Sequence, residues 1–400
     1  GFGTILINDQ APGMNRETTD PLSGEKANIG ILRGFRDISE QSRVGFFLSD
    51  RELGDGFNRV ASLDARLKLN DNWITNMQVV GTDTEPVLGG NPTQGYQRNI
   101  QINRVGRTVN THSHFIETTD NFRTDLGFQN RFFKPDTSGI HNSLNLNFYP
   151  ENPNINSWTA GLFDVYLNDT DGTRIYHQLG PNFELNFATT TIGARFTDYA
   201  EILRPKDFIG VISNTRYDYE NWQIDFSNNT SQTASIRASY RQGRALNLVP
   251  TRGALPYVAN TSRVDISFFW RPIERLQIQN TYFLTELENR NSDTKIFTNE
   301  IFRSNWNYQF TKELSLRFIT QYDKTDSGPA TRLEDNENLN FDLLLRYVIN
   351  PWSAFYVGYN SNQSNFDIVE MEGERELVVA NELRQDGDQI FVKFSYLFQR

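Results

Sequence analysis

The sequence predicts an all-β fold: a transmembrane, antiparallel up-and-down β-barrel of about 22 strands, with roughly 20–26 compatible with the segment count. Three observations predict it. Apolar and polar residues alternate along most of the chain. The connections between alternating segments are short and long by turns. Tryptophans stand beside the short ones.

The alternation is clearest over residues 337–349. Leu339, Phe341, Leu343, Leu345, Tyr347 and Ile349 fall on one face; Asn338, Asn340, Asp342 and Arg346 fall on the other, with Leu344 and Val348 as exceptions. Successive side chains on a strand point to opposite faces, so this stretch has one apolar and one polar face. The pattern recurs at Leu63, Ala65, Leu67 and Leu69 against Asp64, Arg66 and Lys68. It recurs at Leu144, Leu146 and Phe148 against Asn145 and Asn147, and at Val264, Ile266, Phe268 and Trp270 against Arg263, Asp265 and Ser267. Leu314, Leu316, Phe318 and Tyr322 alternate in the same way with Arg317, Gln321 and Asp323. No run at helical spacing with cap signals competes with these.

Tight turns are expected at Asn70-Asp71-Asn72, Arg271-Pro272-Ile273-Glu274, Phe310-Thr311-Lys312 and Asn350-Pro351, because Pro presets φ and Asn tolerates the left-handed region. The other connections, roughly 83–94, 245–260, 288–295, 325–336 and 365–387, read as long polar loops. Short turns at one rim and long loops at the other characterise bacterial outer-membrane barrels. Between about residues 119 and 233 the phase is ambiguous: His141–Pro150, Trp158–Leu167, Thr173–Phe187 and Thr190–Tyr199 are joined by connections of similar length.

Trp73, Trp270, Trp306 and Trp352 each lie within four residues of a tight turn. An indole at a membrane–water boundary buries its ring and keeps its N–H wet, so these four are membrane-girdle candidates. At the end of the chain Ile390, Val392, Phe394, Tyr396 and Phe398 form one apolar face. An aromatic-rich last strand resembles the signal read by the barrel-assembly machinery, with Gln399 and Arg400 following the terminal Phe.

Composition sets the outer limits. The chain has 400 residues, with 39 Lys plus Arg against 49 Asp plus Glu, a formal net charge of −10. That balance argues against a nucleic-acid partner. With no cysteine there is no disulfide framework, thiol nucleophile, thiolate zinc site or iron–sulfur cluster. Hydrophobic residues are only 37 %, yet aromatics reach 13 %. Disordered chains are poor in aromatics, and a barrel strand needs only one apolar face. The apolar stretches Leu343–Leu345 and Tyr347–Ile349 are broken by Arg346, far short of the ~20 residues of a membrane helix. Gly1 follows no signal-like segment, so it is expected to be a mature N-terminus or the edge of a fragment. No linker divides the chain, and residues 1–400 read as a single barrel domain in the bacterial outer membrane.

Candidates for chemistry are few. Arg66, Arg263, Arg317 and Arg346 fall on polar faces together with Asp64, Asp265 and Asp342. These are the lumen-lining candidates: they either set solute preference or pair with one another and fill the interior. Of the four histidines, His112 and His114 share one strand face as a metal pair would, with Glu117 on the opposite face. No third ligand is identifiable, so no metal or other cofactor is assigned. Asn168-Asp169-Thr170-Asp171-Gly172-Thr173 resembles the front of a calcium loop but has Gly fifth, not sixth, and lacks the terminal Glu; a polar turn is the expectation. The acidic run from Glu370 to Asp388 reads as a solvated loop. No catalytic residues are assigned.

Three blocks look like a known family. They are Leu48-Ser49-Asp50-Arg51-Glu52 with Gly56-Phe57-Asn58-Arg59-Val60, Asp64 and Asn72-Trp73; Asp120-Asn121-Phe122-Arg123-Thr124-Asp125-Leu126-Gly127-Phe128 with Arg131; and Phe391-Val392-Lys393-Phe394-Ser395-Tyr396-Leu397-Phe398. Over most of its length the chain resembles a large family of outer-membrane barrels known as carbohydrate-binding family 9-like domain-containing proteins. The resemblance implies an outer-membrane barrel and carries over no catalytic residues. Family members usually precede this region with a β-sandwich resembling a carbohydrate-binding module and further barrel sequence. The chain is therefore expected to be the C-terminal part of a longer protein, or a processed form.

The functional expectation is a pore or transporter for polar solutes, with oligosaccharides as a candidate class, working by passage along a charged lumen and not by covalent chemistry. Its partners would be outer-membrane lipid, the barrel-assembly machinery, a plug from the long loops or a partner chain, and a glycan. One alternative is a surface binding or scaffold barrel with Trp158, Tyr257 and the 365–387 loop as contacts. The other is an outer-membrane hydrolase.

Overall fold

The computed structural model describes residues 1–14, 16–127, 136–350, 352–371 and 374–396. Phe398 of the terminal apolar face and Pro351 of one expected turn lie outside the described residues. Twenty strands occur among those described, following one another up and down, with a single 3-10 turn at Ala11–Gly13. The count falls within the expected range. The chain divides into two compact units.

The first unit comprises residues 1–148, 159–181 and 199–202. Its strands are β1 (Phe2–Asp9), β2 (Ala27–Ser39), β3 (Ser42–Leu53), β4 (Gly56–Lys68), β5 (Trp73–Glu85), β6 (Thr93–Arg104), β7 (Val109–Thr118) and β8 (Thr137–Phe148), with most of β9 (Ser157–Asp169). From β1 to β8 each strand pairs antiparallel with the next.

The second unit comprises residues 149–158, 182–198 and 203–400. Strands β10 (Arg174–Asn186) and β11 (Thr190–Leu203) have residues in both units. The second unit then runs through β12 (Thr215–Asn228), β13 (Ala234–Asn247), β14 (Tyr257–Ile273), β15 (Leu276–Glu288), β16 (Lys295–Gln309), β17 (Leu314–Ser327), β18 (Asn336–Asn350), β19 (Ser353–Met371) and β20 (Glu374–Ser395). Every neighbouring pair from β12 to β20 is antiparallel.

At three of the four expected tight turns the turn residues act as their chemistry predicts; in the fourth, β14 continues through Ile273 and the turn falls on Glu274 and Arg275. Asn70 Oδ1 accepts the N–H groups of Asn72 and Trp73, at 3.0 and 3.1 Å. Asn350 Oδ1 accepts the Trp352 N–H at 2.9 Å, and Thr311 Oγ1 accepts those of Glu313 and Leu314. The Asp169–Thr173 segment is the plain turn expected: Asp169 N–H meets the Thr173 carbonyl, and Gly172 takes a positive φ.

One loop assignment is corrected. The sequence reads residues 365–387 as a long polar loop and the acidic run from Glu370 to Asp388 as solvated, yet β19 and β20 continue through them as a hairpin, paired from Phe366 with Val379 to Met371 with Glu374. β19 runs 19 residues and β20 runs 22, beyond the ~9–11 that cross a bilayer. A strand prolonged into water can be charged on both faces. The β-branched Val378 and Val379 favour the extended backbone.

The burial pattern is inverted relative to a water-soluble fold. The largest fully buried side chains are Ile296, Asn58, Asn247 and Ser353, three of them polar. Large apolar side chains stand open on the other face, with Leu63 69 % exposed. Soluble proteins rarely leave a wide contiguous apolar face uncovered. A bilayer covers such a face at no hydration cost, and antiparallel pairing of successive strands gives the backbone the hydrogen-bond partners that lipid cannot supply.

Strand register makes the apolar face continuous. In the first unit Phe46 pairs with Leu63 and Leu63 with Val79; Met77 pairs with Ile100, Ile100 with Phe115, and Phe115 with Ile140. In the second unit a single row runs Trp270, Ile278, Trp306, Phe318, Leu343, Tyr359 and Ile390, each the register partner of the next. Cross-strand pairs of this kind contribute about 0.2–1 kcal/mol each. Trp270 and Trp306 thus share one level, exposed by 44 and 43 %, and Trp352 is exposed beside its turn. Trp73 lies on the apolar face of the first unit, two residues from Thr75, whose partner is Ile102. Ile390, Val392 and Phe394 share one face, paired with Tyr359, Val357 and Phe355, and Phe394 stacks on Tyr396.

Candidate functional site

The opposite, polar face carries every lumen-lining candidate, in each unit separately. In the first unit the register gives the row Arg43, Arg66, Asn76, Gln101, His114 and His141. The adjacent row holds Asp64, Gln78 and Asn99. Asp64 is bound by both terminal nitrogens of Arg33, one at 2.8 Å. This bidentate fork sits on the sheet wall, half-buried, where water weakens it less than at a fully exposed site.

In the second unit the rows run Gln223, Arg241, Arg263, Thr285 and Asn299, then Asp225, Ser239, Asp265 and Phe283, then Arg237, Ser267, Thr281, Arg303 and Gln321. Arg263 clasps Asp265 at 3.0 Å. Asp342 accepts the Asn360 amide at 2.5 Å. Arg66, Arg317 and Arg346 make no ion pair among the described residues. The sequence left open whether these charges pair or point into water; the answer is divided, with Asp64 and Asp265 paired and three arginines unpaired.

A cavity of about 400 Å³ opens in the second unit, lined by Arg195, Asp225, Arg237, Ser239, Asp265 and Thr281 among others. Gln223 donates to Asp225 at 2.8 Å and accepts from Arg241. Two arginines and two aspartates with hydroxyls between them suit a polar, hydroxyl-bearing solute, since guanidinium and carboxylate both bind hydroxyls in pairs. Of its residues only Asp265 was expected. Asp225, Arg195 and Arg237 sit on neighbouring strands, and only pairing brings them together.

The most specific feature of the first unit is a loop folded onto the polar face. Residues 119–127 follow β7 and turn back over β4, β5 and β6. Phe122 packs on Val60 and Val80. Asn58, 1 % exposed, donates to Thr84 Oγ1 at 2.8 Å and to the Arg123 carbonyl at 2.9 Å, and accepts the Asp125 N–H at 3.0 Å. Arg51 and Arg123 both pair with Asp125. Thr119 donates its N–H to the Tyr96 carbonyl at 3.1 Å, and the Tyr96 N–H donates to Thr119 Oγ1 at 2.8 Å. The loop lies so close to β6 that a Cβ on Gly95 would meet the Phe122 nitrogen at 2.3 Å. Two of the sequence blocks that carry the family resemblance, the one containing Asn58 and the one containing Phe122, are therefore packed together.

Histidine placement changes one expectation. His141 on β8 is the register partner of His114 on β7, and it supplies the third imidazole that spacing along one strand cannot show. A ring nitrogen from each of His112, His114 and His141 lies within 4.8 Å of the others. His177 is apart, stacked on Tyr166 at 4.6 Å. Of the surface-contact candidates, Tyr257 packs on the Ala259, Leu287 and Ile296 cluster, and Trp158 lies against Phe183.

No protein-family model and no curated protein matches the sequence. Solved structures do. The siderophore receptor PirA from Acinetobacter baumannii matches with a TM-score of 0.57 at 8 % identity, over 98 % of this chain and 73 % of that one. A ferric enterobactin receptor mutant from Pseudomonas aeruginosa, in complex with enterobactin, matches with 0.58 at 11 %, over 93 % and 71 %. The alcaligin outer-membrane receptor FauA from Bordetella pertussis matches with 0.52 at 11 %, over 90 % and 73 %. At such identities the likeness establishes the fold: the chain has the fold of bacterial outer-membrane β-barrels, and its exposed apolar face is the surface that fold presents to lipid.

Proposed function

We propose that the protein is a bacterial outer-membrane transport barrel that passes polar, hydroxyl-rich solutes of oligosaccharide class along its polar strand face. The observation that carries this reading is that face itself: cross-strand rows made mostly of Arg, Asp, Asn, Gln, Ser and Thr, set back to back with an exposed apolar face. Charged and amide side chains arranged in rows offer a solute successive sites of similar affinity, so it can enter and leave without being trapped. The segment 119–127, pinned by Asn58, is the constriction or plug element on this path. The matched proteins, receptors for a siderophore, for ferric enterobactin and for alcaligin, support transport as the class. The resemblance to the carbohydrate-binding family 9-like proteins supports a glycan as the solute.

The test is single-channel conductance of the detergent-purified chain in a planar bilayer, with and without oligosaccharides. Stable open steps interrupted by sugar are the expected result. A correctly inserted barrel that stays silent, and stays silent in the Asn58→Ala variant, would overturn the pore and leave the barrel as a membrane anchor for a binding surface.

A further inference from the structure

We infer that His112, His114 and His141 form a three-imidazole site for one divalent transition-metal ion on the polar face of the first unit. The site is independent of which solute the protein carries. Its geometry comes from two sources. His112 and His114 are two residues apart on β7, so both rings leave the same face. Antiparallel pairing then sets His141 of β8 directly opposite His114. The rings meet edge-on, His112 with His114 at 6.0 Å and 62°, and His112 with His141 at 5.1 Å and 64°.

Ring orientation is fixed from outside the trio. His112 donates its Nδ1–H to Asn103 Oδ1 at 2.6 Å, and His114 donates its Nε2–H to Asn99 Oδ1 at 3.0 Å. With the protons held on those nitrogens, the lone pair of each ring is on the other nitrogen: Nε2 of His112 and Nδ1 of His114. An acceptor behind a ligating imidazole sets its tautomer and raises its basicity, and metal-binding histidines almost always have one, whether carboxylate, carbonyl or water. Three imidazoles from facing strands, each ring tilted against its neighbour, with two braced by amide oxygens, are more than a solvated polar face requires.

The donor set chooses the ion. Neutral imidazole favours Zn²⁺, Cu²⁺ and Ni²⁺, while Ca²⁺ and Mg²⁺ demand oxygen ligands. Bonds of about 2.0–2.1 Å at tetrahedral angles need ligand nitrogens about 3.3 Å apart. Small rotations of the three rings close the present separations of up to 4.8 Å. Three protein ligands leave a fourth position, on the side facing away from the sheet, for water or for a donor atom of a passing solute.

The experiment uses the full chain without a histidine tag, in detergent, titrated with Zn²⁺ alone against a chelator of known affinity. One equivalent is expected to bind tightly. His141→Ala should weaken it by more than about 100-fold and Asn103→Ala by about 10–100-fold, the range of second-sphere losses, while His177→Gln leaves it unchanged. A copper-loaded sample of the unaltered protein should show nitrogen hyperfine structure from more than two imidazoles, a readout that needs no variant to fold. Absence of a stoichiometric ion, equal binding by His141→Ala, or hyperfine structure from only one imidazole would overturn the site.

Discussion

Asn58 holds Asp125 from 67 residues away: its side-chain oxygen takes the Asp125 N–H at 3.0 Å, and its amide binds the Arg123 carbonyl one peptide back. One buried side chain thus closes both ends of a turn that would otherwise leave two backbone groups unpaired on the polar face. Replacing Asn58 with Ala strands those groups and Thr84, at ~1–3 kcal/mol for each buried group left without a partner. The expected outcome is local. Hydrogen exchange in 119–127 should rise and mean conductance should increase, while the strand content read by circular dichroism stays constant. Gly95→Val should give the same phenotype by a different route, since its side chain would displace Phe122.

The Arg33–Asp64 fork predicts a change of ion preference. Asp64→Asn removes a negative charge from the polar face and leaves the Arg33 guanidinium without its carboxylate partner. The reversal potential in a salt gradient should move toward anion preference. Arg317→Glu, at a position with no ion pair among the described residues, should move it the other way. No shift in either variant would mean that this face does not line the conducting path.

Much of the fold was legible because a lipid-facing strand repeats every two residues, and that period is written in one dimension. Leu343, Leu345 and Tyr347 announce their shared face without reference to any neighbour. What joins strands is not written that way. His114 and His141 lie on separate strands joined by a long connection, and nothing in either stretch gives their register. The same holds for Asp225 beside Asp265, and for Asn58 beneath Asp125. The charged run near Glu374 misled for a different reason: acidic residues normally mark loops because loops are wet, and a hairpin that leaves the membrane is equally wet.

Leu63 supplies the test of which face meets lipid. It is 69 % exposed and its register partners, Phe46 and Val79, are apolar. Leu63→Lys should destabilise the inserted barrel by about 2–4 kcal/mol if Leu63 lies near the midplane, falling to about 0–1 near the boundary. Gln78→Lys, on the opposite face, should be tolerated at the same depth. Urea titration of refolding into liposomes measures both. Equal tolerance of the two changes would remove the membrane assignment.

Asp335, in the loop between β17 and β18, gives a pH dependence. It accepts the hydroxyl and the N–H of Ser327, at 2.6 and 2.8 Å, and these bonds to its charged form hold its carboxyl below the ordinary value of 3.8. A carboxyl depressed in the folded state adds stability above its unfolded value and loses it as pH falls through the lowered folded one. Wild type should therefore exceed Asp335→Asn in urea midpoint at neutral pH, and the two should converge as pH falls below the lowered folded value. The difference will be modest, because the group is exposed and screened.

Trp270 and Trp306 are linked through Ile278, their common register partner. Antiparallel register partners differ in height only through the tilt of the strands, so across two strand spacings of about 4.8 Å the two indoles lie within roughly 6 Å of one another in depth. Trp306 also donates its Nε1–H to Ser304 Oγ at 2.7 Å, two residues further along β16 and away from the tight turn. A ring so held lies flat along the strand at the edge of the apolar band. Single-tryptophan variants, with the remaining five replaced by Phe, should both be quenched by lipids brominated near the headgroup and weakly by lipids brominated at the chain ends. Aqueous iodide should quench them only partially. If one indole were quenched from the bilayer centre and the other from water, the row would not run parallel to the membrane. Strong iodide quenching of both would place the apolar face in water, where nothing in its composition would keep it soluble.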